Sequence, residues 1–375
     1  MIYNEGQYNS HWDTCKLSDL GTFARGVSKH RPRNDPRLFE GGGYPLVQTG
    51  EIKSASLYIT HHTQEYGEFG LRQSKLWNTN TLCITIAANI AETAILSYPM
   101  CFPDSVVGFV ADKTKSSELF MYYVFDYIRN AIQNAASGSI QDNINIDYLT
   151  SLDFKVPSKV EQDKIVAVLS AIDKKLLLNN RINDNLQQMA YDIYMHLFFK
   201  KPPNGTLGEI IVEHEKSSVQ VGEAKGKSAN YPFFTSGDAI LEWDDAMVDG
   251  RNCFLNTGGN AGVKFHIGNA AYSTDTWCIT ANRELEDYLY LLLLSIKPEL
   301  DQKFFQGTGL KHLQKPLLKE RMIYIPSEKE IAEFNAKVKP LMDMISANVR
   351  ENKKLIALRD WLLPMLMNGQ ATVND

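Results

Sequence analysis

The stretch at residues 159–199 decides the fold of this chain: KVEQDKIVAVLSAIDKKLLLNNRINDNLQQMAYDIYMHLFF. Its seam residues follow one another at alternating spacings of four and three, the period that is typical of a coiled coil. They are Ile165, Leu169, Ile172, Leu176, Asn179, Asn183, Leu186, Ala190, Ile193 and Leu197. The same seam returns 169 positions later, at residues 328–367. The sequence therefore predicts two long amphipathic helices that are copies of one another.

Both copies interrupt the apolar seam with a pair of asparagines. Asn179 and Asn183 lie in the first copy, and Asn348 and Asn352 lie in the second. A buried asparagine at a seam position costs stability but fixes the register and the number of partners. Matched polar layers in one chain are most simply explained if the two helices pair with each other. The alternative is that each helix packs its apolar face only on its own domain.

The helix repeat belongs to a longer duplication of the chain. An offset of 171 residues relates Asn89 to Asn260, Asp104 to Asp275 and Gly138 to Gly309. Pro157 and Pro326 keep the 169-residue offset of the helices. An offset that stays nearly constant over such a length indicates a duplication in which a globular domain precedes each long helix. The predicted boundaries are 1–157 for the first domain, 158–201 for its helix, 202–326 for the second domain and 327–375 for its helix.

Short β-type runs and one apolar helix are predicted within each domain. In the first domain the predicted strands are 44–48, 56–60, 81–87, 106–110 and 152–156, and the helix is 118–134. In the second domain the strands are 231–235, 246–248, 253–256, 277–280 and 322–325, and the helix is 286–294. Residues 200–205 are predicted to form a short linker. Pro340 predicts a kink or a late start of the second long helix, and Pro364 predicts its kink or end.

The predicted fold class is α+β, with two similar mixed α/β domains separated by two long antiparallel coiled-coil helices and related by a pseudo-twofold axis. Forty helical residues span about 60 Å. Antiparallel pairing would place the domains at opposite ends of the helices. Dimeric DNA readers use such a geometry for half-sites about one helical turn, roughly 34 Å, apart.

Composition is that of a soluble globular protein of more than one domain, with 375 residues, 44% hydrophobic and 22% charged. The five cysteines form no C-x-x-C pair, which favours reduced thiols inside the cell and disfavours structural zinc. No apolar run reaches transmembrane length, and residues 1–10 are polar, so we expect no membrane association, no signal peptide and a cytoplasmic location. A net charge of −5 means that any DNA contact needs segregated basic residues or help from partner subunits.

Motifs for catalysis are missing from the sequence. There is no G-x-x-x-x-G-K-[ST] loop, no G-x-G-x-x-G after a strand, no His-Glu-x-x-His and no G-x-S-x-G. An Asn/Asp-Pro-Pro-Tyr/Phe tetrapeptide, typical of amino-methyltransferases, is also missing, because Pro202-Pro203 is followed by Asn204. We therefore expect neither a catalytic site nor a bound metal or cofactor in this chain.

Basic residues cluster in loops that suit contacts with phosphates and with guanine edges. A Gly/Pro-punctuated loop carries Arg25, Lys29, His30, Arg31, Arg33 and Arg37. The matching loop of the second domain carries Lys216, Lys225 and Lys227. Weaker candidates are Arg72, Lys75, Lys264, Lys311 and Asn260. The alternative interpretation of each basic loop is a solvated surface loop. For the turn at residues 256–260, a plain strand connection explains the sequence equally well.

At this point the chain resembles the specificity subunit of type I restriction–modification systems. The resemblance spans essentially the full length and depends on the order and repetition of individually weak motifs. These are Leu17 to Gly21 and Leu207 to Ile210 at the domain starts, Gly138 before a strand, Pro157 followed by Glu161-Gln162, and Asn-x-Arg-x-Asn followed by Leu186 or Leu355. The second half departs from the pattern, because Glu330 is followed by Ile331 instead of glutamine.

The resemblance implies a non-catalytic subunit that reads a bipartite double-stranded DNA target, one half-site per domain. It implies partners as well: two methyltransferase subunits that dock on the helices and use S-adenosylmethionine to methylate adenine, and two ATP-dependent restriction and translocation subunits. Cofactors, namely S-adenosylmethionine, ATP and Mg²⁺, would then belong to the partners. Two other hypotheses remain: a self-contained modification enzyme or nuclease, and a coiled-coil scaffold whose globular ends bind proteins.

Overall fold

The computed structural model describes residues 2–137, 144 and 146–373, which form two compact units. Unit 1 comprises Met1–Leu176 together with Lys354–Asp375, and unit 2 comprises Leu177–Lys353. Gly138, which contributes to the family resemblance, lies outside the described residues. The boundary between the units falls inside both long helices, so each unit contains a part of each helix.

Unit 1 is built from short strands and helices that precede the first long helix. Its strands are β1 (Asp13–Cys15), β2 (Gly21–Arg25), β3 (Tyr44–Leu46), β4 (Tyr58–Ile59), β5 (Gln64–Tyr66), β6 (Leu76–Trp77), β7 (Leu82–Thr85), β8 (Thr93–Leu96), β9 (Met100–Cys101), β10 (Val106–Ala111) and β11 (Phe154–Val156). Its helices are α1 (Leu17–Leu20), α2 (Thr49–Ser54), α3 (Glu68–Arg72), α4 (Glu118–Ser137) and α5 (Ile146–Ser151), with a 3-10 turn at Pro36–Leu38. The first long helix, α6, is Lys159–Phe198.

Unit 2 repeats this plan. Its strands are β12 (Gly205–Thr206), β13 (Ile211–Glu213), β14 (Tyr231–Phe234), β15 (Leu241–Trp243), β16 (Arg251–Asn256), β17 (Val263–Ile267), β18 (Ala271–Tyr272), β19 (Thr276–Ala281), β20 (Phe305–Gln306), β21 (His312–Leu313) and β22 (Met322–Ile323). Its helices are α7 (Val221–Ala224), α8 (Glu286–Ser295), α9 (Lys297–Glu299) and α10 (Lys315–Lys319), with a 3-10 turn at Leu207–Glu209 and a π-helical turn at Leu300–Phe304. The second long helix, α11, is Glu328–Met367.

Strand order shows that the two units share one topology. The main sheet is β2-β10-β7-β8-β4 in unit 1 and β13-β19-β16-β17 in unit 2. A second sheet is β5-β3-β9-β6 in unit 1 and β15-β14-β18 in unit 2. In both units the second sheet combines an antiparallel pair with a parallel pair. The predicted α+β duplication is confirmed, although unit 2 lacks counterparts of β4 and β6 among its described strands.

The core of unit 1 lies between its main sheet and α4. All four residues of β7 are buried, as are five of the six of β10, which is why these strands read as continuous apolar runs. Phe120, Phe125 and Ile128 of α4 are buried in the same cluster. Each such side chain contributes roughly 1.5–3 kcal/mol on burial. Leu363, Leu366 and Met367 of α11 complete this core.

The predicted strand at residues 246–248 is wrong. Only an isolated bridge joins Val248 to Ala270, because the segment contributes too few backbone hydrogen bonds for a ladder. Strands β8 and β17 were not predicted, although Gly262 and Gly268-Asn269 bound β17 on both sides. The linker prediction is wrong at its last residue, because Gly205 begins β12 and pairs with Ile323.

The asparagine of the linker closes a strand instead of initiating a turn. The Asn204 amide donates to the carbonyl of Ile325 (3.1 Å), and its oxygen accepts from the amide of Ile325 (2.6 Å). Unit 1 has the same pair of hydrogen bonds, since the side chain of Asn4 bonds to both the carbonyl and the amide of Lys155, at 2.6 and 2.7 Å. Asn4 therefore supplies Lys155 of β11, and Asn204 supplies Ile325 just beyond β22, with the backbone partners that a neighbouring strand would otherwise provide.

Both long helices are confirmed, at 40 residues each. A late start at Pro340 is wrong, because α11 begins at Glu328 and runs through both prolines to Met367. The Glu330 side chain caps this start, accepting from the Ser327 amide at 2.8 Å. Among the described residues no helix is both long and apolar enough to cross a membrane.

The departure from the family motif at Ile331 has a packing explanation. In unit 1 the equivalent Gln162 is 1% exposed and donates to the carbonyls of Lys115 and Pro157 at 2.9 and 3.0 Å. In unit 2 Ile331 is buried in the apolar cluster that contains Phe334. An aliphatic side chain replaces a hydrogen-bonded amide at the same place in the core.

Candidate nucleic-acid interface

Within each unit the halves of α6 and α11 run antiparallel. In unit 2 the Asn179 amide donates to Asn352 (2.8 Å) and to Glu351 (2.7 Å), and Asn348 donates to Asn183 (2.8 Å). In unit 1 Asp173 of α6 faces Arg359 of α11 at 3.4 Å. Residue numbers rise along one helix as they fall along the other, which defines the antiparallel pairing. The four seam asparagines thus meet in one polar layer, and their role in fixing register stays a prediction.

The first basic loop follows β2 and is partly neutralised by acidic residues. Arg33 donates to Asp104 (2.6 Å), and Arg31 lies 3.7 Å from the other oxygen of the same carboxylate. Arg37 and His30 both contact Asp35, at 2.7 Å each. These two partners hold the pKa of the Asp35 carboxyl well below its usual range. Arg31, Arg33 and Arg37 are more than half exposed, so they remain accessible to DNA while held in place.

Five candidate cations form no ion pair with any described residue, and all are exposed. They are Arg25, Lys29 and Arg72 in unit 1, and Lys216 and Lys225 in unit 2. An exposed cation without an acidic partner is the residue that gains most from a phosphate, because no existing salt bridge must break. These five are therefore the strongest phosphate-binding candidates.

Three further lysines have partners within the described chain. Lys75 lies over the Trp77 ring at 3.6 Å. Lys227 lies over the Trp243 ring at 3.7 Å and also 3.7 Å from Asp244. Lys311 lies 3.8 Å from Asp301. Cation–π contacts of this kind leave the ammonium partly accessible, so Lys75 and Lys227 could still approach a phosphate.

Lys264 occupies a different environment from the other candidates. Its ammonium donates to the carbonyls of Thr235 (2.6 Å) and Gly237 (2.5 Å), and burial lowers its pKa. It ties β17 to the loop after β14, which is a structural task. Asn260 is exposed, and its carbonyl accepts from the Asn256 amide at 3.1 Å within the turn.

A cavity of about 570 Å³ opens in unit 1 beside the first basic loop. Arg33, Asn34, Gln48, Gln64 and Tyr66 are among the residues that line it. The Gln48 amide donates to the Gln64 oxygen at 2.6 Å. Sequence reasoning missed Asn34, Gln48 and Gln64. The available signal was the repeat Tyr44-Pro45…Thr49-Gly50, which encloses Gln48 and encloses Thr235 in the second copy.

Groups for metal or nucleophilic chemistry are sparse in the described chain. Its described residues contain no cluster of three His, Cys, Asp or Glu side chains that could hold a metal ion. The five cysteines are free thiols, and burial raises the pKa of Cys83 and Cys278 well above the ordinary value. Buried thiols of raised pKa are poor nucleophiles.

Comparison with known proteins places these features in a family. The model of the type I restriction modification DNA specificity domain matches the chain twice, at residues 9–188 and 204–352. The MjaIX type I restriction enzyme specificity subunit of Methanocaldococcus jannaschii is 21% identical over 99% of this chain and 96% of its own length. A putative MjaX specificity subunit from the same organism is 20% identical over 49% of this chain and 41% of its own length.

A solved structure shares the fold. The crystal structure of the S subunit of a type I restriction–modification system from M. genitalium superposes with a TM-score of 0.64 at 16% identity, covering 98% of this chain and 99% of that one. Two family matches, one per domain, agree with the duplicated strand order. The chain therefore belongs to the type I restriction modification DNA specificity family and is a DNA specificity subunit carrying two recognition domains.

Proposed function

We propose that the chain reads a bipartite double-stranded DNA target, with one half-site for each recognition domain. The observation that carries this proposal is that the two domains share a strand order but differ at equivalent lining positions. Gln48 and Gln64 of unit 1 correspond to Thr235 and Leu241 of unit 2, since Leu46 pairs with Gln64 as Phe233 pairs with Leu241. Different side chains on a shared scaffold would read different bases.

The basic residues fall into two groups, which would contact phosphates and base edges respectively. Unpaired cations such as Arg25 and Lys225 would contact phosphates and set the position on the duplex. Arg31 and Arg33, held by Asp104, would present guanidinium groups to base edges. With a net charge of −5, partner subunits would supply further phosphate contacts.

The long helices would dock the partners of the complex. Several large apolar side chains on them are exposed, among them Met189 (52%) and Trp361 (56%). Exposed apolar side chains on otherwise charged helices favour a protein interaction. Two methyltransferase subunits would bind here, and two restriction and translocation subunits would join them. S-adenosylmethionine, ATP and Mg²⁺ would belong to these partners, and the complex would act in the cytoplasm.

The test is reconstitution with the methyltransferase subunit of the same system. We expect adenine methylation at one bipartite DNA sequence, which disappears when this chain is omitted. Methylated positions are mapped by sequencing a plasmid library with random inserts. Methylation that does not depend on the chain would contradict the proposal, and capture of proteins without any DNA binding at low salt would favour a scaffold instead.

A further inference from the structure

The amide pair in the cavity of unit 1 is held in a fixed position. The backbone amide of Gln48 donates to Glu51 Oε2 at 2.8 Å, and the backbone amide of Thr63 donates to Glu51 Oε1 at 2.9 Å. The Thr63 hydroxyl donates to the same oxygen at 2.7 Å. One carboxylate thereby joins the segment that carries Gln48 to the segment that carries Gln64. Both glutamines are exposed at their side chains but fixed at their backbones.

The pair leaves one donor and one acceptor for a ligand. Gln48 uses an amide hydrogen and Gln64 uses its oxygen in their 2.6 Å bond. The Gln48 oxygen and the Gln64 amide group have no partner among the described residues. A donor beside an acceptor is the complement of the major-groove edge of adenine, which offers N7 as acceptor and the N6 amino group as donor.

The walls of the cavity agree with a nucleic-acid ligand rather than a small apolar one. Arg33 and Asn34 of the basic loop line it, as do the aromatic side chains of Phe39 and Tyr66, whose ring centroids lie 5.5 Å apart. Ala88 lines it as well, with a φ of 64° that side chains other than glycine rarely adopt. Backbone strain of this kind concentrates at binding sites, where the surrounding structure maintains it.

The second domain lacks this arrangement. Thr235 and Leu241 stand where unit 1 has the two glutamines, and the carbonyl of Thr235 is occupied by Lys264. An effect of the glutamines should therefore be confined to one half of a bipartite target. The other half-site then serves as a control within the same molecule.

We propose that Gln48 and Gln64 together read an adenine in the half-site of the first domain, with Glu51 as the positioning residue. This inference rests on the proposed function of the chain as a reader of bipartite DNA. It names residues that determine specificity and the base that they select, which the family membership does not provide.

In the experiment, the full chain with its methyltransferase subunits selects DNA duplexes from a random pool. Each duplex carries about 25 randomised base pairs, somewhat more than two helical turns. For Gln64→Ala and Gln48→Ala we expect the preference for adenine at one position of the first half-site to fall roughly 5- to 150-fold, the range for a bidentate base contact. The second half-site should be unchanged. Gln302→Ala, which removes an exposed glutamine of unit 2, is the matched control and should leave both half-sites unchanged.

Gln64→Glu separates base reading from loss of fold. A carboxylate can still accept from Gln48 but has no donor for adenine N7, and it can accept from the cytosine amino group. We expect the preference at that position to move from adenine towards cytosine, an outcome that misfolding cannot produce. Glu51→Gln should weaken the adenine preference less than either alanine variant.

Two outcomes are distinguishable from one another. If the wild-type chain selects no bipartite sequence, the proposed function itself fails. If the wild-type chain selects one and Gln64→Ala and Gln64→Glu select the same bases as the wild type, the proposed function stands and the assignment of the two glutamines is overturned.

Discussion

Asn179 of one long helix donates a 2.8 Å hydrogen bond to the side-chain oxygen of Asn352 on the other. Asn179 is 1% exposed, so this amide has no access to water as an alternative partner. The contact lies in the polar layer that interrupts an otherwise apolar seam. Polar layers of this kind restrict helix pairs to one register because any shift leaves a buried amide unpaired.

Replacing one or both of these asparagines tests how much their hydrogen bond contributes to the stability of the helix pair. Asn179→Leu should lower the free energy of unfolding by about 1–2 kcal/mol, since it leaves the side-chain oxygen of Asn352 without its donor. The double variant Asn179→Leu/Asn352→Leu should recover most of that loss, because both partners become apolar. Urea unfolding of the four proteins in the cycle measures the coupling. Gln188→Leu, an exposed glutamine that bonds only within its own helix to Asp192, is the control, and equal losses in the single and double variants would contradict the prediction.

A buried ion pair joins α8 to β16 in unit 2. Arg251 contacts both oxygens of Asp287 at 2.7 and 2.8 Å and also contacts Asp343. The Asp287 side chain is fully buried, and burial raises its pKa to about 6 while Arg251 opposes that shift. Arg251→Met should cost about 3–5 kcal/mol because it leaves a buried carboxylate without its partner.

Adding Asp287→Asn to Arg251→Met should restore much of this loss. The raised pKa also fixes the sign of a pH effect: the stability that Asp287 contributes is present below pH 4 and is lost as the pH rises through about 6. Asp287→Asn should therefore flatten the wild-type stability profile between pH 4 and 6. An unchanged profile would count against a raised pKa.

Glu330 gives a pH effect of the opposite sign. Lys201, the Ser327 amide and hydroxyl, and the Tyr324 hydroxyl lower the pKa of this carboxyl to about 2. A lowered pKa contributes stability above about pH 4.5, which is lost as the pH falls towards 2. Glu330→Gln should cost on the order of 1 kcal/mol at pH 7, a small effect because the group is near solvent, and less at pH 3. Thermal unfolding at both pH values measures the difference. Equal costs at pH 7 and 3 would contradict the prediction.

Lys225 and Lys264 should respond oppositely to substitution. Lys225→Ala should lower the slope of log affinity against log salt by about 1 with little change in stability, because it removes one proposed phosphate contact. Lys264→Met should lower the melting temperature with little change in that slope, because Lys264 holds two loop carbonyls. Salt titration with a fixed duplex and thermal unfolding separate the two effects. A reduced slope in Lys264→Met would show that this lysine also contacts phosphate.

The long helices could be predicted from sequence because their signal is local and repeated. The seam period, the asparagine pairs and the 169-residue offset require no knowledge of distant contacts. The neutralisation of Arg31 and Arg33 could not be predicted, because Asp104 is about seventy positions away and the pattern of charges does not reveal the pair. The structural role of Lys264 could not be predicted either, because its sequence context does not reveal its two acceptors, the carbonyls of Thr235 and Gly237.

The contact between Gln48 and Gln64 could not be predicted from the sequence. Gln48 and Gln64 are sixteen positions apart, and their contact depends on the pairing of β3 with β5. Neither strand carries a turn signal that fixes this register from the sequence alone. The start of β12 at Gly205 could not be predicted for a related reason. Asn-Gly indicates a turn locally, whereas Gly205 pairs with Ile323 and Asn204 bonds to Ile325, and both partners are distant in the sequence.

Leu363, Leu366 and Met367 fill the core of unit 1, although unit 1 otherwise comes from the first 176 residues. During synthesis the ribosome therefore releases every residue of unit 2 before it supplies the last core side chains of unit 1. Nascent chains must keep an incomplete apolar surface from aggregating throughout that interval, and a product that stops before residue 363 would fold unit 2 but leave the other unit open to proteolysis.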